Sequence, residues 1–493
     1  MERNSFLIPH SSFLTPHSSF FPMPKPSTTL SDAFGTFVVR MVGIALMFVS
    51  TTVTARLLGP EEYGTYSAAL ALAVLLAALA PLGTDRILVR SLSSPKCPEE
   101  TGRETTIAHL CTAIVATLLL CGILTAWFVN SFVFYNPPCA RTCLLATGMF
   151  VPLAVVYLRQ WLAIPLIGSR RALIPEQTIL PLVFTTSLLL LAAAGWKPNA
   201  AIAASTYAIV MSIVWIGSLQ AEPIRSVYRS AWNAILSVGR SDIRRQFRDG
   251  RPFVCIGIGS LLTQSCMPLV IAATCGFEET AYFSLALPYA TLASIPLGVF
   301  NLSIIPRCAR HYNRGEFAAT SHAVRSAATV TFLLAAVLSI MIWICSPLLL
   351  TVLGEEFRMV CRLLAPLLLG VIVDSLTGPT IPVMQTMKME RNYSRALFAF
   401  IPIQLCLVYG FGKVAGIEGT AFSYFAARCL WNIIVFTTIY QHRGLVMLPY
   451  LRVTQAFHES PPALEQTIRS RPKQSLWKNS SVPDVPVAPA RAA

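Results

Sequence analysis

Apolar windows of 18 or more residues recur along this chain of 493 residues, separated by short polar turns. Each window is long enough, as a helix, to cross a hydrocarbon layer about 30 Å thick. One water-soluble core could not hold them all. Only 12% of the residues are charged, against about 25% in soluble domains, and the mean hydropathy is +0.61. The expected fold class is therefore an all-α polytopic membrane protein. Twelve spans are predicted, near 34–58, 66–90, 107–133, 142–167, 173–195, 199–220, 252–274, 281–305, 323–349, 361–386, 393–415 and 418–440.

Charge then orients the spans. One set of alternate loops holds Arg90, Lys96 and Arg103, then Arg170 and Arg171, then the run from Arg225 to Arg251. The same set continues with Arg307 to Arg325 and with Lys388, Arg391 and Arg395. The opposite set holds only Arg141, Lys197, Arg358, Arg362 and Lys413. Lys and Arg collect in cytoplasmic loops, so both termini are expected on the cytoplasmic side. The net charge of +15 is accounted for in this way without a nucleic-acid partner.

Two turns on the basic-poor side resemble each other, "GPEEYGTYSAAL" from Gly59 and "GFEETAYFSLAL" from Gly276. With an ungapped offset of 217, ten of the 32 positions from Gly59 to Arg90 are identical, including the glycine, both glutamates and the arginine. The second span thus repeats as the eighth, in the same orientation. Two six-helix halves related by an axis along the membrane normal are a transporter arrangement. The expected organisation is a leader at 1–33, a lobe at 34–220, a basic linker at 221–251, a second lobe at 252–440 and a tail at 441–493. The leader carries the tandem "FLIPHSSFLTPHSS", a low-complexity pattern whose prolines exclude a helix.

Charged groups inside spans are costly and mark cavities or pathways. Arg40, Arg159 and Arg428 fall well within the first, fourth and twelfth spans and are the candidate substrate-binding residues. Their excess over buried carboxylates suits an anionic solute, because guanidinium binds phosphate in bidentate fashion and stays charged. Asp374, central in the tenth span, either neutralises one of them or holds a coupling cation. Asp85, beside Arg86 near the inner end of the second, either pairs or snorkels. Arg56 is expected to snorkel, and Glu176 to sit at the interface. No nucleotide loop, nucleophile elbow or metal-ligand pattern occurs, and no cofactor, metal or enzymatic activity is expected.

The stretches "ARLLGPEEYGTYSAALAL", "LGTDRILVR", "CGFEETAYFS", "VLGEEFRMVCRLLAPLLLG" and "GIEGTAFSYFAARCL" resemble the bacterial oligosaccharide flippases. These form the polysaccharide-transporter branch of the superfamily that includes the MATE drug exporters and the lipid II flippase. The likeness runs from about Phe34 to Tyr440. It implies a MATE-like fold of twelve helices in two lobes that moves an undecaprenyl-pyrophosphate-linked oligosaccharide between leaflets by alternating access. Membrane lipids, a polysaccharide polymerase and glycosyltransferases are the implied partners. Relatives carry an Asp late in the seventh span where this chain has Met267, so the likeness does not extend to that carboxylate. A drug/cation antiporter and a non-transporting scaffold for glycosyltransferases are the alternatives.

Overall fold

A computed structural model describes residues 30–92, 98–378, 380, 383–384, 387, 389–444 and 447–450; the predicted leader before Leu30 and the tail beyond Tyr450 lie outside them. The described residues are helical almost throughout. In order they form α1 (Leu30–Leu79), α2 (Thr84–Leu92), α3 (Pro98–Phe132), α4 (Pro137–Ile167), α5 (Ser169–Ile174), a π turn (Pro175–Ile179), α6 (Leu180–Ala193) and α7 (Ala200–Ser218). There follow α8 (Ile224–Ala234), α9 (Arg240–Thr274), α10 (Phe277–Thr291), α11 (Ile295–Asn313), α12 (Phe317–Leu353), α13 (Arg358–Leu376) and α14 (Glu390–Arg443).

Eight helical stretches among the described residues are long and apolar enough to cross a membrane. Two of them, Gly35–Leu79 and Arg391–His442, run 45 and 52 residues, well beyond the ~20 that one crossing needs. Each is broken near its middle, the first at Gly59 and the second at Ala415 and Gly416, so the eight stretches hold ten crossing lengths. The seventh and eighth predicted spans fall on α9 and on α10 with α11, parts of which lie outside the residues that this count covers. α9 opens with the charged run from Arg240, and a 3-10 turn at Leu292–Ser294 divides α10 from α11.

The glutamate turns are built as the sequence suggests. Gly59 has φ 74° and ψ 170°, and Gly276 has φ 125° and ψ 177°. This region is open only to glycine, so each helix stops there and a new one starts at once. Pro60 suits the first position of the new helix, where its missing N–H has no partner to lose. Glu61, Glu62, Glu278 and Glu279 then occupy a first turn, where the helix dipole favours negative charge. α4 and α7 start with side-chain caps instead. Asn136 accepts from the Cys139 N–H and Asn199 from the Ile202 N–H.

Glu62 does more than balance a dipole. Its carboxylate receives both guanidinium nitrogens of Arg141 on α4, at 2.9 and 2.8 Å, and the Ala200 N–H that opens α7, at 2.6 Å. One side chain thus ties three helix ends together. The pair is partly exposed, so Glu62→Ala is expected to lower stability by only about 1 kcal/mol. Thermal unfolding in detergent would measure it, and an unchanged midpoint would show that the tie contributes nothing.

The buried apolar residues fall into three clusters, and their placement defines the shape. The largest lies towards the glutamate-turn end and spans both halves of the chain. It runs from Leu58, Tyr66, Phe150 and Phe184 to Ile271, Phe283, Phe357 and Leu364. Towards the basic end the core divides. Leu88, Leu158, Leu162, Ala172 and Ile224 form one cluster, and Ile304, Val324, Phe400, Trp431 and Val435 another. Among the described residues the two lobes share a core at one end and have separate cores at the other.

The basic 221–251 segment, expected to tether the halves along the cytoplasmic surface, is mostly helix. α8 lies along α3, with Thr106 Oγ1 donating to the Ala231 carbonyl at 2.7 Å and His109 Nε2 3.0 Å from the Tyr228 hydroxyl. The amphipathic pattern of 224–234 made this possible, because its apolar side had only the first lobe to cover it. α9 then runs without a break from the basic surface into the second lobe. Asp242, near its start, accepts from Arg103 of α3 at 2.9 Å and from the Gly239 N–H at 3.0 Å. The Gly239 N–H, with Arg103 beside it, holds the Asp242 carboxyl below the usual range, so this tie persists well into acid.

Candidate functional site

At the glutamate-turn end the two halves of the repeat meet each other. An added Cβ on Gly64 would collide with the Phe277 carbonyl oxygen and stand 3.3 Å from the Ala281 nitrogen. The offset of 217 pairs Gly64 with Ala281, so the two copies touch at equivalent positions, as an internal two-fold axis requires. Closer to mid-membrane, Thr52 of α1 and Tyr289 of α10 share a hydrogen bond of 2.8 Å, and the Phe48 ring packs edge-on against Tyr289 at 4.3 Å. Arg56, expected to snorkel, instead donates to the Val352 carbonyl of α12 at 2.7 Å. The lobes are thus joined by direct polar contacts at this end.

The five candidate residues occupy different settings. Arg40 is exposed on α1, in the half that approaches the basic end. Asp85 is half-buried in the first turn of α2, and the Arg86 side chain falls outside the described residues.

Arg428 and Asp374 come together in the second lobe. Arg428 Nη1 lies 3.3 Å from Asp374 Oδ2, and the guanidinium sits over the Tyr424 ring at 4.9 Å. Asn432, one turn beyond Arg428, donates to Asp374 Oδ1 at 2.9 Å and accepts from Thr377. Arg428 and Asp374 side chains are 27% and 23% exposed, enough for a polar ligand to reach them. Asn432 and Thr377 were not singled out from the sequence. The signal was their spacing, four residues after Arg428 and three after Asp374, which places each pair on one helix face.

Arg159 is set apart from these. It is 2% exposed, donates to the Ala172 carbonyl at 3.1 Å, and lies 3.7 Å from Glu176 Oε1 in the π turn. Gln177 of the same turn packs against Gly43 of α1, where a Cβ would meet the Gln177 side chain and carbonyl. Tyr228 of α8 faces the guanidinium, and burial holds its phenol above the usual value and so neutral. Sequence reasoning placed Glu176 at the interface, since nothing in the chain shows that the tight turn at Gly168 folds α5 back beside α4.

Among the described residues no group of three His, Cys, Asp or Glu side chains converges as a metal site would require. The arrangement offers cationic and amide groups on two lobes, suited to holding an anion by charge and hydrogen bonds.

Two lobes of membrane-length helices, which among the described residues share an apolar core at one end, make this chain a multi-pass membrane protein with a transporter fold. Residues 29–312 match the family described as polysaccharide biosynthesis protein, and the chain belongs to that family. No curated protein sequence matches it. Among solved structures, it is similar to an inward-facing MATE multidrug-resistance transporter of the MOP superfamily, with a TM-score of 0.64 at 14% identity. That likeness covers 82% of this chain and 97% of the other. The lipid II flippase MurJ in an inward closed conformation gives 0.60 at 13% identity, covering 83% and 87%. An outward-facing MATE transporter gives 0.52 at 13%, covering 82% and 93%.

Proposed function

We propose that the protein is a flippase that moves an undecaprenyl-pyrophosphate-linked oligosaccharide across the bacterial cytoplasmic membrane for surface polysaccharide assembly. Twelve spans in two six-helix lobes, with both termini cytoplasmic, carry this by alternating access. The supporting observation is the divided core: among the described residues the apolar cores of the two lobes are separate at the basic end, the side on which the positive-inside rule puts the cytoplasm. A substrate assembled on cytoplasmic sugar nucleotides would enter from there. The higher likeness to an inward-facing than to an outward-facing transporter points the same way.

In this reading Arg40 and Arg428 meet the pyrophosphate first, and Arg159 is drawn into contact when the first lobe rearranges. Asn432 and Thr377 add hydrogen bonds for phosphate or sugar oxygens, and Asp374 neutralises Arg428 until the anion displaces it. The lipid tail stays in the bilayer while the sugars cross in water. No chemical bond changes, so no enzyme chemistry is needed.

The test is flipping of a fluorescent lipid-linked oligosaccharide in vesicles holding the purified protein. Wild type is expected to flip it. Arg40→Ala and Arg428→Ala should each slow flipping on the order of tenfold, the scale of one lost charge-assisted hydrogen bond, with normal expression. Wild-type rates in both variants would remove the arginine site. Drug efflux without lipid-linked sugar transport would replace the flippase reading with an antiporter.

A further inference from the structure

The Arg159–Glu176 pair is built unlike an ion pair that serves only to hold helices together. A separation of 3.7 Å is beyond hydrogen-bond length. Arg159 Nε and Glu176 Oε1 are both buried without a hydrogen-bond partner. Pairs at such depth are stable when the geometry is close and every remaining donor and acceptor is met, and neither condition holds here. The carboxylate also sits on a π turn, an insertion into helix geometry that recurs at functional sites.

We propose that Glu176 is a proton-binding site of the first lobe, and that its protonation releases the Arg159 guanidinium to meet an anion. One proton, taken from water, adds to a carboxylate oxygen of Glu176, and nothing else is transferred. The charged group facing Glu176 among the described residues is Arg159 from α4. Tyr207 from α7 faces it, Tyr228 from α8 faces Arg159, and α1 presents Gly43 to the neighbouring Gln177.

With Glu176 ionised the pair is neutral and Arg159 stays buried. With Glu176 neutral, Arg159 keeps a single carbonyl partner, that of Ala172, and is a buried cation without a counter-charge. The packed arrangement is then disfavoured relative to one in which the guanidinium reaches an anion. Linkage makes the effect mutual: an anion bound to Arg159 raises the proton affinity of Glu176 by the same factor. The site therefore takes a proton together with an anionic group. That the anion is the pyrophosphate of a lipid-linked sugar rests on the proposed function; the proton site does not.

Two measurements on the full-length protein in lipid vesicles decide it. Infrared difference spectra on acidification should show a carboxyl band that is lost in Glu176→Gln, retained in Glu176→Asp, and lost in the charge-free pair Arg159→Met with Glu176→Gln. The last variant guards against misfolding of the single one. In transport, a pH difference across the membrane should change lipid-linked sugar accumulation by up to about tenfold per pH unit for one proton, in wild type and Glu176→Asp but not in Glu176→Gln. An acid-induced band that survives in both glutamine variants, or none in wild type, overturns the proton site. A wild type that flips the lipid-linked sugar without responding to the gradient overturns the coupling. A wild type that flips no such lipid defeats the flippase reading, and the infrared result still stands by itself.

Discussion

Gly64→Ala is expected to lower the thermal unfolding midpoint of the protein and part the lobes at their glutamate-turn end. The new methyl would meet the carbonyl of Phe277, a backbone atom with no rotamer to escape into. Overpacking of this kind costs about 1–3 kcal/mol, and a backbone obstacle puts this case at about 3. Because α1 carries Thr52 and Arg56 in its other half, their contacts with Tyr289 and Val352 should loosen as well. Thiol labelling of Thr52→Cys from the glutamate-turn side would then quicken in the Gly64→Ala background. Ala281→Gly should not restore the fold, since the collision is with the Phe277 carbonyl and not with the Ala281 methyl. Unaltered stability together with unaltered labelling would show that the two repeats do not meet at Gly64.

Arg159→Ala should be the most damaging single removal of charge in the first lobe. It strands Glu176, 14% exposed at its side chain, without a cation. Breaking one side of a buried pair costs about 3–5 kcal/mol, most of it the penalty of the orphaned partner. The double change Arg159→Met with Glu176→Gln removes both charges at similar volume and should return close to wild-type stability. Unfolding in detergent of wild type, Arg159→Met, Glu176→Gln and the double variant closes the cycle and gives the coupling. If the two single changes simply add, the groups do not act on each other, and the pairing seen between α4 and the π turn has no energetic content.

The recurrence of apolar windows determined the fold class, because helices are what a membrane permits when every backbone polar group must be satisfied internally. The paired "GPEE" and "GFEE" turns carried the internal symmetry for a similar reason. A glycine that ends one helix and acidic residues that begin the next are local requirements, written in a few adjacent positions. The charge bias between alternate loops is likewise readable along the chain. Arg428 with Asp374 was half legible, as two charges in spans that needed partners, and Asn432 and Thr377 followed from helical spacing once the pair was known.

What depended on tertiary structure was every relation between distant helices. Nothing local to Gly64 says that Phe277 lies against it, or that Glu62 gathers Arg141 and the start of α7. The meeting of Glu176 with Arg159 follows from the turn at Gly168 and the packing of α4 beside it. The same holds for the division of the core into one shared and two separate parts. Periodicity tells which face of a helix is apolar, but many neighbours could cover that face. Only the packed set of helices selects one, and with it the arrangement in which the described residues of two lobes share a core at one end and keep separate cores at the other.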